Sequence, residues 1–296
     1  MTQSRNRLAQ LVRLAFYLAP FEKLLRRLTL RMRSDSLVAR IPPKHIDYPK
    51  PSWRLTKSGG ITLRLDLSDL VGWYAYWGFS EPARQRLYSL IQKGDVVFDI
   101  GANIGEVALN AAEKVGAKGN VVAFEPFPTN FDALQKNAQL NDLPNLTIVN
   151  KAVGAEKAIL KMIVADDANA GMNRITDGSD GDDDAAEVEV VTLDDFIDPS
   201  VFSKIDLIKI DVEGFEMHVL RGAVSTLTSF RPKLFVELID TYLQRQGSST
   251  KEVLQLLESF GYELSFAETG EPIRSDSDFT NSQFDVVAFP RARSAA

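Results

Sequence analysis

The chain predicts an α/β fold: a mostly parallel, seven-stranded sheet with helices on both faces, a C-terminal antiparallel hairpin and an N-terminal helical extension. Three observations predict it. From Asp95 onward, apolar runs of strand length alternate with segments of helical period, the pattern of repeated βα units. The apolar run Val96–Ile100 ends in Gly101-Ala102-Asn103-Ile104-Gly105, a glycine-spaced turn leading into a helix. Residues 261–267 and 284–289 are joined by a polar stretch without a helix, so those two strands run antiparallel.

Taken in order, residues 3–19 and 20–33 read as two helices, with Pro20 suited to the first turn of the second. Leu14, Leu18, Phe21, Leu25, Leu28 and Met32 form one apolar stripe. Eight basic residues against the single acid Glu22 give residues 1–33 a net charge of +7, so the remainder carries −13 of the overall −6. Two readings of this segment stand side by side. It is a helix lying on an anionic membrane surface, at the inner face of a cytoplasmic membrane. Or it packs on the main domain or a partner with solvated arginines outside, which is the favoured reading. Its longest uncharged run, 14–21, is far short of the roughly 20 residues of a bilayer span. No small-x-small cleavage site follows a clean apolar core, so a secretory signal is not expected. Pro42, Pro43, Pro49 and Pro51 mark a linker, which divides the chain into an extension at 1–52 and a main domain at 53–296.

Ile61, Leu63, Leu65 and Leu67 alternate with polar residues as a half-buried strand does. Residues 81–92 read as a helix. Strands are expected at 96–100, 120–125, 146–151, 205–210, 233–239, 261–267 and 284–289, and helices at 104–115, 128–140, 193–197, 215–229 and 250–260. Trp73, Tyr74, Tyr76 and Trp77 suit either stacking on a sugar or packing, and packing is preferred. The acidic run 177–184 lacks the spacing and closing Glu of a calcium loop and reads as a solvated loop. Residues 166–174 are small and polar, which suits either a lid, with Asn173 and Arg174 as substrate-contact candidates, or a plain surface turn.

Composition excludes several chemistries. The 296 residues contain no cysteine, so disulfides, thiolate metal sites and Cys nucleophiles are out, and a cytoplasmic setting is compatible. Only His45 and His218 are present, so a metal would need oxygen ligands, and no such ligand set is evident. An acidic body argues against nucleic acid as a partner.

Two strand ends carry the chemistry. Gly101 and Gly105 let a backbone approach a ligand closely; Asn103 can turn toward it or cap the next helix; Asp99 is a carboxylate at the end of a buried strand. Glu125, at the end of the next strand, can accept both hydroxyls of a ribose and would repel a 2′-phosphate. The second end is Ile208-Lys209-Ile210-Asp211-Val212-Glu213-Gly214, where Asp211 and Glu213 could bind a hydroxyl, take its proton or hold a cation. Lys209 either acts with these carboxylates or, because it shares a strand face with Asp211, salt-bridges a carboxylate at the strand end. His218 reads as structural and His45 has no assigned role.

Residues 96–107, Phe124-Glu125-Pro126, Ala152-Val153-Gly154, Val191-Thr192-Leu193-Asp194-Asp195-Phe196 and residues 208–223 together resemble the FkbM family of S-adenosylmethionine-dependent methyltransferases. So does the lead-in Gly78-Phe79-Ser80-Glu81-Pro82, and the likeness covers about 55–265. The resemblance implies a class I methyltransferase fold and O-methylation of a hydroxyl on a sugar, glycan or secondary metabolite. It assigns Asp99, Gly101, Asn103, Gly105 and Glu125 to the cofactor, with Ala152 and Val153 at the adenine edge. It places Asp211 and Glu213 near the methyl group and makes Glu237 an acidic substrate-side position. Phe215 stands where the family has His or Tyr. A nicotinamide-dependent oxidoreductase and a non-catalytic, membrane-associated scaffold are the rival readings.

Overall fold

The computed structural model describes residues 19–30, 32–33, 36–163, 174–176 and 185–292. Helix α1 spans Ala19–Thr29, followed by strands β1 (Trp53–Ser58) and β2 (Ile61–Asp66) and helices α2 (Leu70–Trp77) and α3 (Pro82–Leu90). Then come β3 (Val96–Ile100), α4 (Glu106–Val115), β4 (Asn120–Phe124), α5 (Pro128–Gln139) and β5 (Leu146–Val149). Short strands β6 (Ala152–Val153), β7 (Ala158–Ile163), β8 (Arg174–Thr176) and β9 (Ala186–Val191) lead to α6 (Leu193–Phe196) and β10 (Leu207–Ile210). The chain finishes with α7 (Glu216–Arg221), α8 (Val224–Ser229), β11 (Lys233–Ile239), α9 (Asp240–Arg245), α10 (Thr250–Ser259), β12 (Tyr262–Phe266) and β13 (Gln283–Pro290).

Seven strands form one sheet in the order β12-β13-β11-β10-β3-β4-β5. From β11 through β5 every pairing is parallel. The C-terminal pair is antiparallel as expected, and β13 inserts between β11 and β12, antiparallel to both. Strand alternation sends Val97, Val121, Ala123, Leu207 and Phe235 to one core with Ala108 and Leu109 of α4. Phe98, Ile100, Val122, Ile208 and Val236 go to a second core on the other face, with Met217 of α7 and Leu254 of α10.

Several expectations shift. The expected 146–151 strand stops at Val149, and β6 after it belongs to a second sheet of order β6-β9-β7-β8, which was not expected. The 215–229 helix breaks near Gly222, whose added Cβ would stand 1.9 Å from the Gly154 carbonyl oxygen. Two backbones cross there, and α7 and α8 form on either side. Helices α2 and α9 and strand β1 were not expected. On α2, Tyr76 and Trp77 are buried, and the Trp73 indole donates to the Pro43 carbonyl at 2.7 Å while its ring packs on Tyr74 and Phe79, so this aromatic group packs the domain edge. The acidic run 177–184 and most of the 166–174 segment lie outside the described residues.

The extension is half as expected. α1 does pack on the domain, but by a side that is mostly polar, Glu22, Arg26 and Thr29 around Leu25. The Glu22 carboxylate accepts two hydrogen bonds from Arg54, each 2.9 Å, and one from the Tyr76 hydroxyl at 2.5 Å. Arg26 donates to the Tyr76 carbonyl and Thr29 to that of Trp77. Leu25 is buried, whereas Phe21 and Leu28 of the same predicted stripe are exposed. The outer face is therefore not the solvated arginine face expected from the sequence.

Candidate active site

A parallel sheet delivers its loops at the carboxyl ends of its strands. A cavity of about 300 Å³ opens there, above β3, β4 and β10. Gly101, Asn103, Glu125, Ala152, Val153, Asp211, Glu213 and Glu237 all line it, so residues spread over 137 positions of sequence meet in one place. Asp99 and Gly105 do not line it. Asp99 is fully buried behind the wall, paired with Lys209. Gly105 has φ +89°, and its added Cβ would strike the side chains of Leu134 and Leu109, so its glycine serves helix packing. Asn173 lies outside the described residues, and Arg174 opens β8.

The first wall is the loop after β3. Gly101 has φ +83°, and a Cβ there would lie 1.8 Å from the Asp211 carbonyl oxygen, so the loop rests directly on the turn after β10. Asn103 is held left-handed at φ 49°. Its amide N–H donates to Glu125 Oε2 at 2.8 Å, and its side-chain oxygen accepts from the Ile104 amide at 2.7 Å. Glu125 Oε1 accepts from the Phe127 amide at 2.9 Å. Burial pushes the Glu125 carboxyl up to about 7 despite these two donors. Each oxygen keeps a further lone pair for a ligand hydroxyl.

The second wall is the turn after β10. Parallel pairing sets Lys209 beside Asp99, and the ammonium lies 3.1 Å from Asp99, 3.1 Å from Asp211 and 2.8 Å from the Gly101 carbonyl. Burial alone would lower the Lys209 pKa, but the two carboxylates raise it above its ordinary value. The clamp ties both strand ends together, so the structural reading of Lys209 holds and extends to Asp99. Glu213 sits left-handed at φ 54°, an uncommon state for a residue with a Cβ. Gly214 follows at φ +102° against the Tyr242 backbone. The buried Glu216 carboxylate accepts from the Val212 and Gly214 amides and braces this turn.

The carboxyl groups here sit in distinct environments. Burial pushes Asp211 up, but Lys209 and a hydrogen bond from Glu237 outweigh it and hold Asp211 below its ordinary value. Glu237 goes the other way, raised first by the Asp211 charge and then by burial, so the pair holds one proton, on Glu237. Glu213 is pushed up to about 9 by burial, Asp211 and Glu216, and its buried Oε2 has no hydrogen-bond partner. Among the described residues no cluster of three or more His, Asp or Glu could hold a metal ion.

Sequence reasoning missed Arg84 and Glu106 on the cavity rim, 3.3 Å apart, with the Tyr88 hydroxyl donating to Glu106 at 3.0 Å. Arg84 lies on α3 two positions before Arg86, and nothing in composition separates a rim arginine from a solvated one.

These residues fit a nucleoside methyl donor on three observations. They are a side-chain-free backbone at Gly101 on the cavity wall, a carboxylate with lone pairs left over, and an unpartnered buried carboxyl oxygen on the same cavity. A model of the methyltransferase FkbM domain matches residues 99–264, more than half of the chain. The chain belongs to the FkbM methyltransferase family. The methyl donor of that family is S-adenosylmethionine. Hexuronic acid methyltransferase AglP of Haloferax volcanii is 28% identical over 168 residues, covering 56% of this chain and 62% of AglP. The 31-O-demethyl-FK506 methyltransferase FkbM of Streptomyces tacrolimicus is 34% identical over 163 residues, 45% of this chain and 60% of the relative. The 2-O-methyltransferase NoeI of Sinorhizobium fredii is 26% identical over 202 residues, 60% and 76% of the two chains. The chain thus spans less than two thirds of the first two of these relatives.

Proposed function

We propose that this FkbM-family chain transfers a methyl group from S-adenosylmethionine to a hydroxyl of a sugar, glycan or small metabolite. The observation that carries this reading is one cavity lined both by Gly101, Asn103 and Glu125 and by Asp211, Glu213 and Glu237. Glu125 would hold the ribose hydroxyls, the Gly101–Asn103 backbone would pass along the donor, and Ala152 and Val153 would border its base. The donor, when bound, supplies an already activated methyl on a sulfonium. The protein is left with alignment and removal of one proton.

Asp211 is suited to accept that proton. Lys209 holds it ionised, and Glu237 donates to it. Glu213 and Glu237 are both protonated near neutrality; Glu213 can donate to a further oxygen of a polyhydroxylated acceptor, while Glu237, whose proton goes to Asp211, keeps a carbonyl oxygen that can accept from one. Two neutral carboxyls beside one carboxylate suit a diol or sugar ring. The names of AglP and NoeI, a hexuronic acid methyltransferase and a 2-O-methyltransferase, agree with that class.

The test is transfer of labelled methyl from S-adenosylmethionine to a panel of neutral sugars and hexuronic acids, with calorimetry against S-adenosylhomocysteine and NAD⁺. Asp211→Asn should lower the transfer rate by about 10²- to 10⁴-fold, the usual worth of a general base. Its affinity for S-adenosylhomocysteine should stay within a few-fold. Full activity in Asp211→Asn, or binding of NAD⁺ without S-adenosylhomocysteine, would overturn the proposal.

A further inference from the structure

α1 presents its apolar side to the outside. Phe21, Leu24 and Leu28, spaced i, i+3, i+7, share a helix face and are 48%, 55% and 57% exposed. Lys23 and Arg27 are exposed on the same helix. Its one acid, Glu22, is 3% exposed and held by Arg54 and Tyr76, so the outward surface of α1 is apolar and cationic. Leu30, Leu37, Ile41 and Ile46 continue the exposed apolar side chains along the segment that follows. A helix that simply packed on its domain would bury the apolar side and leave the polar side wet.

The inversion is fixed by specific contacts. Glu22, Arg26 and Thr29 are the residues that reach Arg54, Tyr76 and Trp77. Rotating α1 to bury Phe21, Leu24 and Leu28 would unpair all of them. The outward face therefore awaits an apolar surface, and its cations say of which charge. An apolar face bordered by Lys and Arg is the composition of a helix that lies in the headgroup region of a bilayer. Residues 1–33 carry a net +7 against −13 for the remainder, so attraction to an anionic surface falls on this segment.

We propose that α1, with its exposed Lys23 and Arg27, docks this protein on an anionic lipid surface. α2 connects that surface to the cavity. Its C-terminal residues Tyr76 and Trp77 hold α1, while Val71 near its start lines the cavity. Its eight residues span about 12 Å at 1.5 Å per residue.

The experiment is co-sedimentation of the full chain with vesicles of phosphatidylcholine, alone or with about one third phosphatidylglycerol. Binding is expected with the anionic vesicles and not with phosphatidylcholine alone. Lys23→Gln with Arg27→Gln should weaken it by about fivefold for each charge removed. Leu24→Glu with Leu28→Glu should abolish it, with circular dichroism and the melting temperature unchanged because both side chains are exposed. Failure to sediment with anionic vesicles would overturn the proposal. So would equal sedimentation of the Leu24→Glu/Leu28→Glu variant. A dimer that this variant dissolves in analytical ultracentrifugation, with no vesicle capture by the unmodified chain, would assign the face to a second copy instead.

Discussion

Glu125 shows how one side chain couples burial to binding. Its folded pKa of about 7 stands above the ordinary 4.5, because burial penalises the anion more than the Asn103 and Phe127 amides favour it. Between those two values the native state binds more protons than the unfolded chain. Stability from this group is therefore full below about pH 4.5 and falls as pH rises to 7, by about 3 kcal/mol in total. A ligand that donates two hydroxyls selects the ionised form and works in the opposite direction. Affinity for S-adenosylhomocysteine should then fall about tenfold per pH unit below 7 and level off above it. Calorimetry across that range checks this. Glu216 and Asp285 titrate near the same value, so Glu125→Gln is the necessary comparison. It should bind more weakly at pH 8 and lose the bend; a bend that survives in the variant belongs to another group.

The elements of the site were legible where one residue type had one job at a strand end. Gly101, Glu125, Asp211 and Glu213 each follow an apolar run, and parallel pairing brings such ends together. What was not legible came from elements whose local pattern pointed elsewhere. β1 turns Trp53 and Leu55 outward and buries Thr56, the reverse of an amphipathic strand. β9 did carry a period-two signal, with buried Val188 and Val190 alternating with exposed Glu187 and Glu189, but it directly follows the acidic run, and no element is expected there. Gly105 matched the cofactor pattern although its contacts are with Leu134 and Leu109. Two substitutions separate these glycines. In Gly101→Ala the new methyl meets the Asp211 backbone at 1.8 Å, and no rotamer change relieves that. A loss of about 2–4 kcal/mol and more than about tenfold in S-adenosylhomocysteine affinity is expected. In Gly105→Ala the contacts are side-chain methyl groups that can move, so melting temperature should fall while affinity stays within a few-fold. Equal loss of affinity in both variants would mean that Gly105 meets the ligand after all.

At the scale of the whole molecule, the question is whether α1 is part of the folded domain or a separable arm attached to it. Besides buried Leu25 its anchors are polar, and Glu22 is central to them, shared by Arg54 and Tyr76. Burial and Glu22 both keep the Tyr76 phenol protonated, and therefore a donor, over the accessible pH range. Glu22→Ala leaves a half-buried guanidinium and a buried hydroxyl without their acceptor, a cost of about 2–4 kcal/mol. α2 on the domain side has independent support. Asp69 caps its first turn, and Gly72 packs against the Asp66 backbone. The cost should therefore appear as local release of α1 rather than global unfolding. Tryptic cleavage at Lys23, Arg26 and Arg27 should accelerate by about thirtyfold or more, following the population of the open form. The melting temperature and S-adenosylhomocysteine affinity should change little, because Val71 and the cavity stay in place. A parallel fall in melting temperature and affinity would show instead that α1 and the methyltransferase sheet unfold as one unit.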